Sequence, residues 1–302
     1  MGLFDRAVVR LLPAVPRPVV QRLSSPYIAG PTLDDARRTV AALNAEGKLA
    51  TVDVLGEEVT RREEAETIAE AYRDALAAIE GDGLDANISV KLTGLGLKLD
   101  LELCRALLPA LAKDAARRST FVRIDMEDSS CIDDTLTLYR DLRADGHENV
   151  GVVLQAYLKR TMHDIDSLSP LRPNVRLCKG IYVEPASVAF QDDETVRRSF
   201  VSCLDALLDI GSYVGVATHD EELIRHALQR LAGRSPLEYE FQMLLGVRER
   251  RASELVAAGH RLRVYVPFGR RWYEYSLRRL QENPKVAGYV ARDVAARLVP
   301  GR

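Results

Sequence analysis

The chain has 302 residues, 47% of them hydrophobic and 28% charged, with a net charge of -2. That is ample apolar material for a core, arranged either as two average domains or as one barrel, and it gives no electrostatic case for a nucleic-acid partner. Four cysteines, Cys104, Cys131, Cys178 and Cys203, are far apart and form no C-x-x-C pair, which argues against a zinc site or a disulfide framework and fits a reducing cytoplasm.

The first twelve residues carry apolar positions interrupted by Asp5, Arg6 and Arg10, so they lack the continuous core of a secretion signal. Arg6 stands where a myristoylation pattern needs Ser or Thr. No run approaches the roughly 20 apolar residues of a membrane span. Residues 1–12 read as a short packing helix, with an amphipathic helix lying on a membrane as the alternative. A helix over 33–44 then precedes the first strand.

From residue 49 onward, short β-rich runs alternate with helical periodicity. The expected strands are 50–54, 87–92, 121–125, 151–156, 175–179, 213–217, 239–243 and 262–266. After the first strand, Ala65, Ile68, Ala69, Tyr72, Leu76 and Ile79 fall on one helical face, with Thr60 and Glu63 as a candidate capping box. Asn283-Pro284 would stop the last helix. Eight βα units are what a closed (β/α)8 barrel requires. Gly94-Leu-Gly96 lacks the third glycine of a dinucleotide fingerprint and reads as a loop. The expectation is α/β, a TIM-type barrel forming one domain over 1–302. A helical extension occupies 1–48, the barrel 49–283 and a tail 284–302.

Active sites of such barrels are built at the C-terminal ends of the strands. Glu57, Lys91, Asp125, Gln155, Arg176, Lys179, Thr218-His219-Asp220, Gln242 and Tyr265 all fall there. Asp220 before Glu-Glu-Leu reads as a helix cap, while the rest converge on one mouth. Beyond the eighth strand, Tyr275, Arg278, Arg279 and Glu282 are spaced to share a helix face on which two guanidinium forks can hold a carboxylate. Cations then outnumber acids, and the mouth should attract an anion such as a phosphorylated cofactor with a carboxylate substrate. The five histidines form no metal-binding spacing, so no metal is expected, and no G-x-S-x-G elbow marks a nucleophile. These residues alone describe a cofactor-dependent barrel enzyme acting on a small acid.

Several segments in collinear order carry a family resemblance. They are Leu55-Gly-Glu57, Ser89-Val-Lys91-Leu, Arg123-Ile-Asp125, the run from Gln155 to Thr161, Arg176-Leu-Cys-Lys-Gly-Ile-Tyr182, Ala217-Thr-His-Asp220, the run from Glu240 to Gly246, Val264-Tyr-Val-Pro-Phe-Gly269 and the run from Tyr275 to Asn283. Through them the chain resembles the monofunctional bacterial proline dehydrogenases, FAD-dependent (β/α)8 barrel enzymes. The resemblance implies that Lys91, Arg278 and Arg279 hold the carboxylate of L-proline and that Tyr182, Leu244, Tyr265 and Tyr275 wall its ring. It also implies that Asp125 positions its neighbours and that Glu57 pairs with an arginine of the last barrel helix to close the site. Arg176 would lie beside flavin N5, with Gln155, Lys179, Gly180, Thr218, His219 and Glu282 contacting the cofactor. The implied reaction is hydride transfer giving Δ1-pyrroline-5-carboxylate, with electrons passing to a membrane quinone and the product passing to a separate pyrroline-5-carboxylate dehydrogenase. The implied location is the cytoplasm, or its membrane face. Hydroxyproline oxidation, a folate-reducing flavin barrel and a non-enzymatic binding module are the alternatives.

Overall fold

In the computed structural model, residues 25–273 are described. Helix α1 (Leu33–Ala45) opens on Thr32, which forms a reciprocal capping box with Asp35, and packs against β1 (Leu49–Val54) and the last strand. The βα units that follow are α2 (Arg62–Gly81), β2 (Ala86–Val90), α3 (Leu101–Arg117), β3 (Val122–Ile124), α4 (Ile132–Ala144), β4 (Val150–Gln155) and α5 (Thr161–Leu168). They continue with β5 (Asn174–Cys178), α6 (Asp193–Asp209), β6 (Tyr213–Ala217), α7 (Glu221–Leu231), β7 (Tyr239–Leu244), α8 (Glu249–Ala257) and β8 (Leu262–Phe268). The eight strands are parallel and close in sequence order, with β8 pairing back onto β1.

The expected barrel is therefore present. The strand at 213–217 coincides with its expectation, and the others differ by a few residues at their ends. Two local expectations fail. Helix α2 begins at Arg62, and its cap residue Arg61 makes no side-chain capping bond; Thr60 N–H donates to Glu64 at 3.1 Å, so Glu64 turns back where Glu63 was expected to. The loop expected at Gly94-Leu-Gly96 is a short 3-10 helix (Leu92–Leu95) that ends at Gly96, whose φ of 93° suits glycine.

The strands are buried on both faces, but for different reasons. Outward positions such as Val52, Ile88, Val90, Val122, Ile124 and Val152 meet the apolar stripes of the surrounding helices, for example Ala65, Ile68, Ala69, Tyr72, Leu76 and Ile79 of α2. Inside the barrel the buried side chains include Thr51, Asp53, Asn87, Ser89, Arg123, Asp125, Arg176, Glu240, Gln242 and Arg263, a polar filling rather than the usual layers of branched aliphatics. Two glycines make room for it. A Cβ on Gly151 would meet the Arg123 guanidinium and the Asn174 carbonyl at 2.5 Å, and one on Gly215 would strike the Gln242 amide. The lower part of the filling is joined by Arg263 donating to Glu240 at 2.8 Å and by Arg123 donating to the carbonyls of Val152 and Asn174.

Candidate active site

Lys91 follows β2 and turns its ammonium into the C-terminal mouth of the barrel. Its Nζ lies 2.9 Å from both carboxylate oxygens of Asp53, 3.0 Å from the Tyr265 hydroxyl, 3.6 Å from Asp125 and 3.8 Å from Glu57. Asp125 accepts from Ser89 and from the Arg176 guanidinium, both at 2.7 Å, and its other oxygen accepts from Tyr265 at 3.0 Å. Arg176 also donates to Gln242 at 2.6 Å and to Ser89 at 3.0 Å. The two cations stand 5.6 Å and 5.2 Å from the Tyr265 ring centroid, so the phenol is flanked by positive charge as well as anchored at its hydroxyl.

Burial sets the protonation states in opposition to the neighbours. For Lys91 burial is the largest effect and favours the neutral amine, yet Asp53, Tyr265, Asp125 and Glu57 together hold it well above the ordinary lysine value. For Asp125 burial likewise opposes ionisation, and Arg176 with Lys91 overcomes it and keeps the carboxyl below its ordinary value. Burial and then Asp125 raise the Tyr265 phenol well above 10. The cluster therefore presents a cationic Lys91, an anionic Asp125 and a neutral Tyr265 throughout the physiological range.

Around this cluster lies a second set of groups. Gln155, at the end of β4, donates its amide to the Met126 and Glu127 carbonyls at 3.2 and 3.3 Å, while its buried Oε1 has no hydrogen-bond partner among the described residues. Lys179 and Arg197 both reach Asp220, at 2.5 and 2.7 Å, and Asp220 also caps α7, as expected; against burial, these contacts bring its carboxyl to about 2. Thr218 is buried and accepts from the Asp220 N–H at 3.1 Å. His219 Nε2 accepts from the Leu244 N–H at 3.0 Å, which requires that nitrogen to be unprotonated. Gly180 has a φ of 108°, and a side chain there would run into the Tyr157 ring.

The structure thus gathers Lys91, Asp125, Arg176 and Tyr265 into one bonded cluster with Glu57 at its edge, and it joins Leu244 to His219 and Lys179 to Asp220. Tyr182 lies on the β5–α6 loop, half-buried beside the exposed Ile181 and Val183. Tyr275, Arg278, Arg279 and Glu282 fall outside the described residues, as do residues 1–12. Two of the five cations behind the expected excess at the mouth, Arg278 and Arg279, lie outside the described residues, and the described ones are met by acids. Asp53, a wholly buried acid that the reading of strand ends passed over, takes up Lys91, and Asp220 takes up Lys179. Asp53 was visible in principle: Thr51 and Asp53 share a strand face, and a charged residue inside a β-rich run has to point into a polar interior. Tyr72, on the buried face of α2, also reaches the cluster: its hydroxyl donates to the Ser89 carbonyl at 2.7 Å and lies 3.3 Å from Asp53.

Residues 36–292 match the family described as proline dehydrogenase. The chain is 40% identical over 270 residues to proline dehydrogenase 1 of Bacillus subtilis (strain 168), covering 89% of each. It is 36% identical over 280 residues to proline dehydrogenase of Deinococcus radiodurans, again covering 89% of each. The chain belongs to the proline dehydrogenase family. Its fold is also that of proline utilization A from Bdellovibrio bacteriovorus, with a TM-score of 0.81 at 22% identity over 87% of this chain and 33% of that longer one. As an oxidoreductase of the proline dehydrogenase family, the chain places its bonded cluster where barrel enzymes carry their chemistry. Among the described residues no helix is long and apolar enough to cross a membrane, and no group of three or more His, Cys, Asp or Glu could hold a metal ion.

Proposed function

We propose that the protein oxidises L-proline to Δ1-pyrroline-5-carboxylate, with FAD as the hydride acceptor, a membrane quinone as the next electron acceptor and a separate dehydrogenase consuming the product. The observation that supports this reading best is the pair of cations, Lys91 and Arg176, held within 5.6 and 5.2 Å of the Tyr265 ring centroid at the strand ends. A site built this way orients a small anionic substrate against an aromatic wall rather than activating a nucleophile.

The residues present fit a flavin. Among the described residues the buried Gln155 Oε1 has no hydrogen-bond partner and matches an imide N–H of the isoalloxazine ring. Arg176, Gln155, Lys179, Gly180, Thr218 and His219, with Glu282, would hold FAD, whose ring supplies two-electron acceptance. On the substrate side, Lys91 with Arg278 and Arg279 fixes the carboxylate, and Tyr182, Leu244, Tyr265 and Tyr275 exclude water and larger amino acids. Asp125 keeps Arg176 and Tyr265 in register, and Glu57 closes the mouth. Lys91 and Tyr265 are both held protonated, so neither serves as the base for proline's ammonium, and the proton leaves to solvent. The barrel at 49–283, with the flanking 1–48 and 284–302, is taken as one catalytic unit.

The test is the visible spectrum of the purified protein, supplemented with FAD, before and after anaerobic L-proline. Loss of the oxidised-flavin band with proline but not with NADH is expected. A bound flavin that ignores proline would move the substrate to hydroxyproline, and a protein that takes up no flavin would overturn the enzymatic reading. For the twin arginines, Arg278→Ala or Arg279→Ala should raise the proline KM by about 30- to 1000-fold while flavin stays bound, the loss expected for a charge-assisted contact. Unchanged proline kinetics in both variants would remove them from the site. Membrane contact through residues 1–12 would be discarded if deleting them left quinone-dependent activity in vesicles unchanged.

A further inference from the structure

Glu127 is a buried acid at the barrel mouth that the reaction does not use. It lies just past β3 and spends both carboxylate oxygens on one residue, Thr93 of the 3-10 helix after β2. The Thr93 N–H donates to Oε2 at 2.9 Å and the Thr93 hydroxyl donates to Oε1. Thr93 in turn holds the loop after β1. Its hydroxyl oxygen accepts from the Glu58 N–H at 3.1 Å and its carbonyl accepts from the Val59 N–H at 3.4 Å. Glu58 is held at a φ of +50°, a conformation that non-glycine residues rarely adopt, so this loop is shaped by its contacts rather than by its own preference. The backbones of the two loops also touch, since a Cβ on Gly94 would strike the Gly56 carbonyl. Glu57 lies between these anchored residues, with its carboxylate 3.8 Å from Lys91. At the other end, the Glu127 carbonyl accepts from Gln155 at 3.3 Å.

We propose that Glu127 and Thr93 form a latch that positions the β1–α2 loop, and with it Glu57, over the substrate mouth. The proposal rests on the proline dehydrogenase reading given above and adds positioning residues to it. In the arrangement observed both Glu127 oxygens accept, as they do in the ionised carboxylate. When Glu127 is protonated at Oε1, that oxygen becomes a donor and the Thr93 hydroxyl turns to accept from it; the Thr93 oxygen keeps the Glu58 N–H on its other lone pair, but its own hydrogen loses its buried acceptor and the latch is weakened. Burial places that proton near neutrality, raising the carboxyl to about 7 in spite of the Thr93 bonds and Lys91, with Glu57 adding to the rise. The other titratable groups facing Glu127 are the thiols of Cys104 on α3 and Cys131 before α4, which burial pushes up to about 12 and about 11, so both stay neutral through this range. The latch is therefore tighter above about pH 7 and looser below it.

The test compares wild type with Glu127→Gln, Thr93→Val and Thr93→Ser between pH 6 and 8.5 in two ways. In hydrogen exchange, corrected for intrinsic rate, the Glu58 amide should gain protection in wild type as pH rises through about 7. Glu127→Gln should show no such step, Thr93→Val should leave the amide unprotected at every pH, and Thr93→Ser should restore the wild-type profile. In proline turnover, KM should fall across the same step in wild type. In Glu127→Gln and Thr93→Val it should stay about tenfold higher, the effect of one lost hydrogen bond, with kcat nearly unchanged. A step that survives Glu127→Gln, full protection in Thr93→Val, or a fall in kcat at constant KM would each overturn the latch. The exchange measurement does not depend on flavin, so it stands even if the proposed reaction fails, and Thr93→Val tests the latch if Glu127→Gln does not fold.

Discussion

Asp53 and Lys91 form the most buried ion pair at the mouth, and their value lies in what each prevents the other from costing. Asp53 is wholly buried and directs both oxygens at one ammonium. A buried pair is often no better than apolar residues of the same volume, but removing one partner strands the other in a low-dielectric site, at a cost of about 3–5 kcal/mol. Asp53→Ala should therefore lower unfolding stability by about that amount, measured by urea titration at pH 7. A loss below about 1 kcal/mol would mean that Asp125 and Glu57, at 3.6 and 3.8 Å, suffice to hold Lys91. Asp53→Asn, which keeps one acceptor, should fall between the two.

At the level of strands, the interior of this barrel is specified as much by its glycines as by its charges. Gly151 in β4 and Gly215 in β6 each occupy the space into which a long polar side chain from another strand extends, Arg123 in one case and Gln242 in the other. The obstacles differ in kind. A methyl group on Gly151 meets the Asn174 carbonyl as well as Arg123, and backbone cannot step aside, so Gly151→Ala should cost about 1–3 kcal/mol of stability by thermal or urea unfolding. A methyl group on Gly215 meets only the end of Gln242, a side chain that can rotate away, but doing so releases Arg176 from its 2.6 Å bond. Gly215→Ala should therefore be the milder of the two in unfolding and the more damaging per unit of lost stability in proline turnover. The reverse ranking in both measurements would show that Gln242 has no part in orienting Arg176. Strand positions were legible in the sequence because apolar outer faces and regular spacing mark them, and Tyr213–Ala217 matches to the residue. The 3-10 helix at Leu92–Leu95 was not, because Thr93 finds its partner Glu127 in another loop, a tertiary choice that local pattern does not carry. The start of α2 was misplaced because Glu63 and Glu64 are both within reach of Thr60 in sequence and pattern does not choose between them.

Across the whole molecule, the charged mouth was legible as a list of strand-end residues but not as a network, since sequence shows which residues reach the mouth and not which of them neutralise one another. That network gives the protein a stability profile with two opposed limbs. Asp220 has a folded value of about 2 and Asp125 is also depressed, so between their folded values and the ordinary carboxylate range of about 4 the unfolded chain binds more protons; stability falls as pH drops through that window. Glu127 runs the other way. With a folded value of about 7 against about 4.3 unfolded, the folded chain binds more protons between those limits, and stability falls as pH rises through them, by up to about 4 kcal/mol. Burial raises Asp53 as well and adds to this limb, whereas His260, lowered by burial and then by Arg251, loses stability as pH falls through its ordinary range and so offsets part of it. The contribution of Glu127 is isolated by subtraction. The urea midpoint of Glu127→Gln minus that of wild type should rise steadily from pH 4.5 to 7.5 and then level off, because glutamine has no proton to lose. A difference that stays flat across the range would mean that the buried carboxyl ionises as readily as an exposed one, and a difference that falls would reverse the sign of its burial cost.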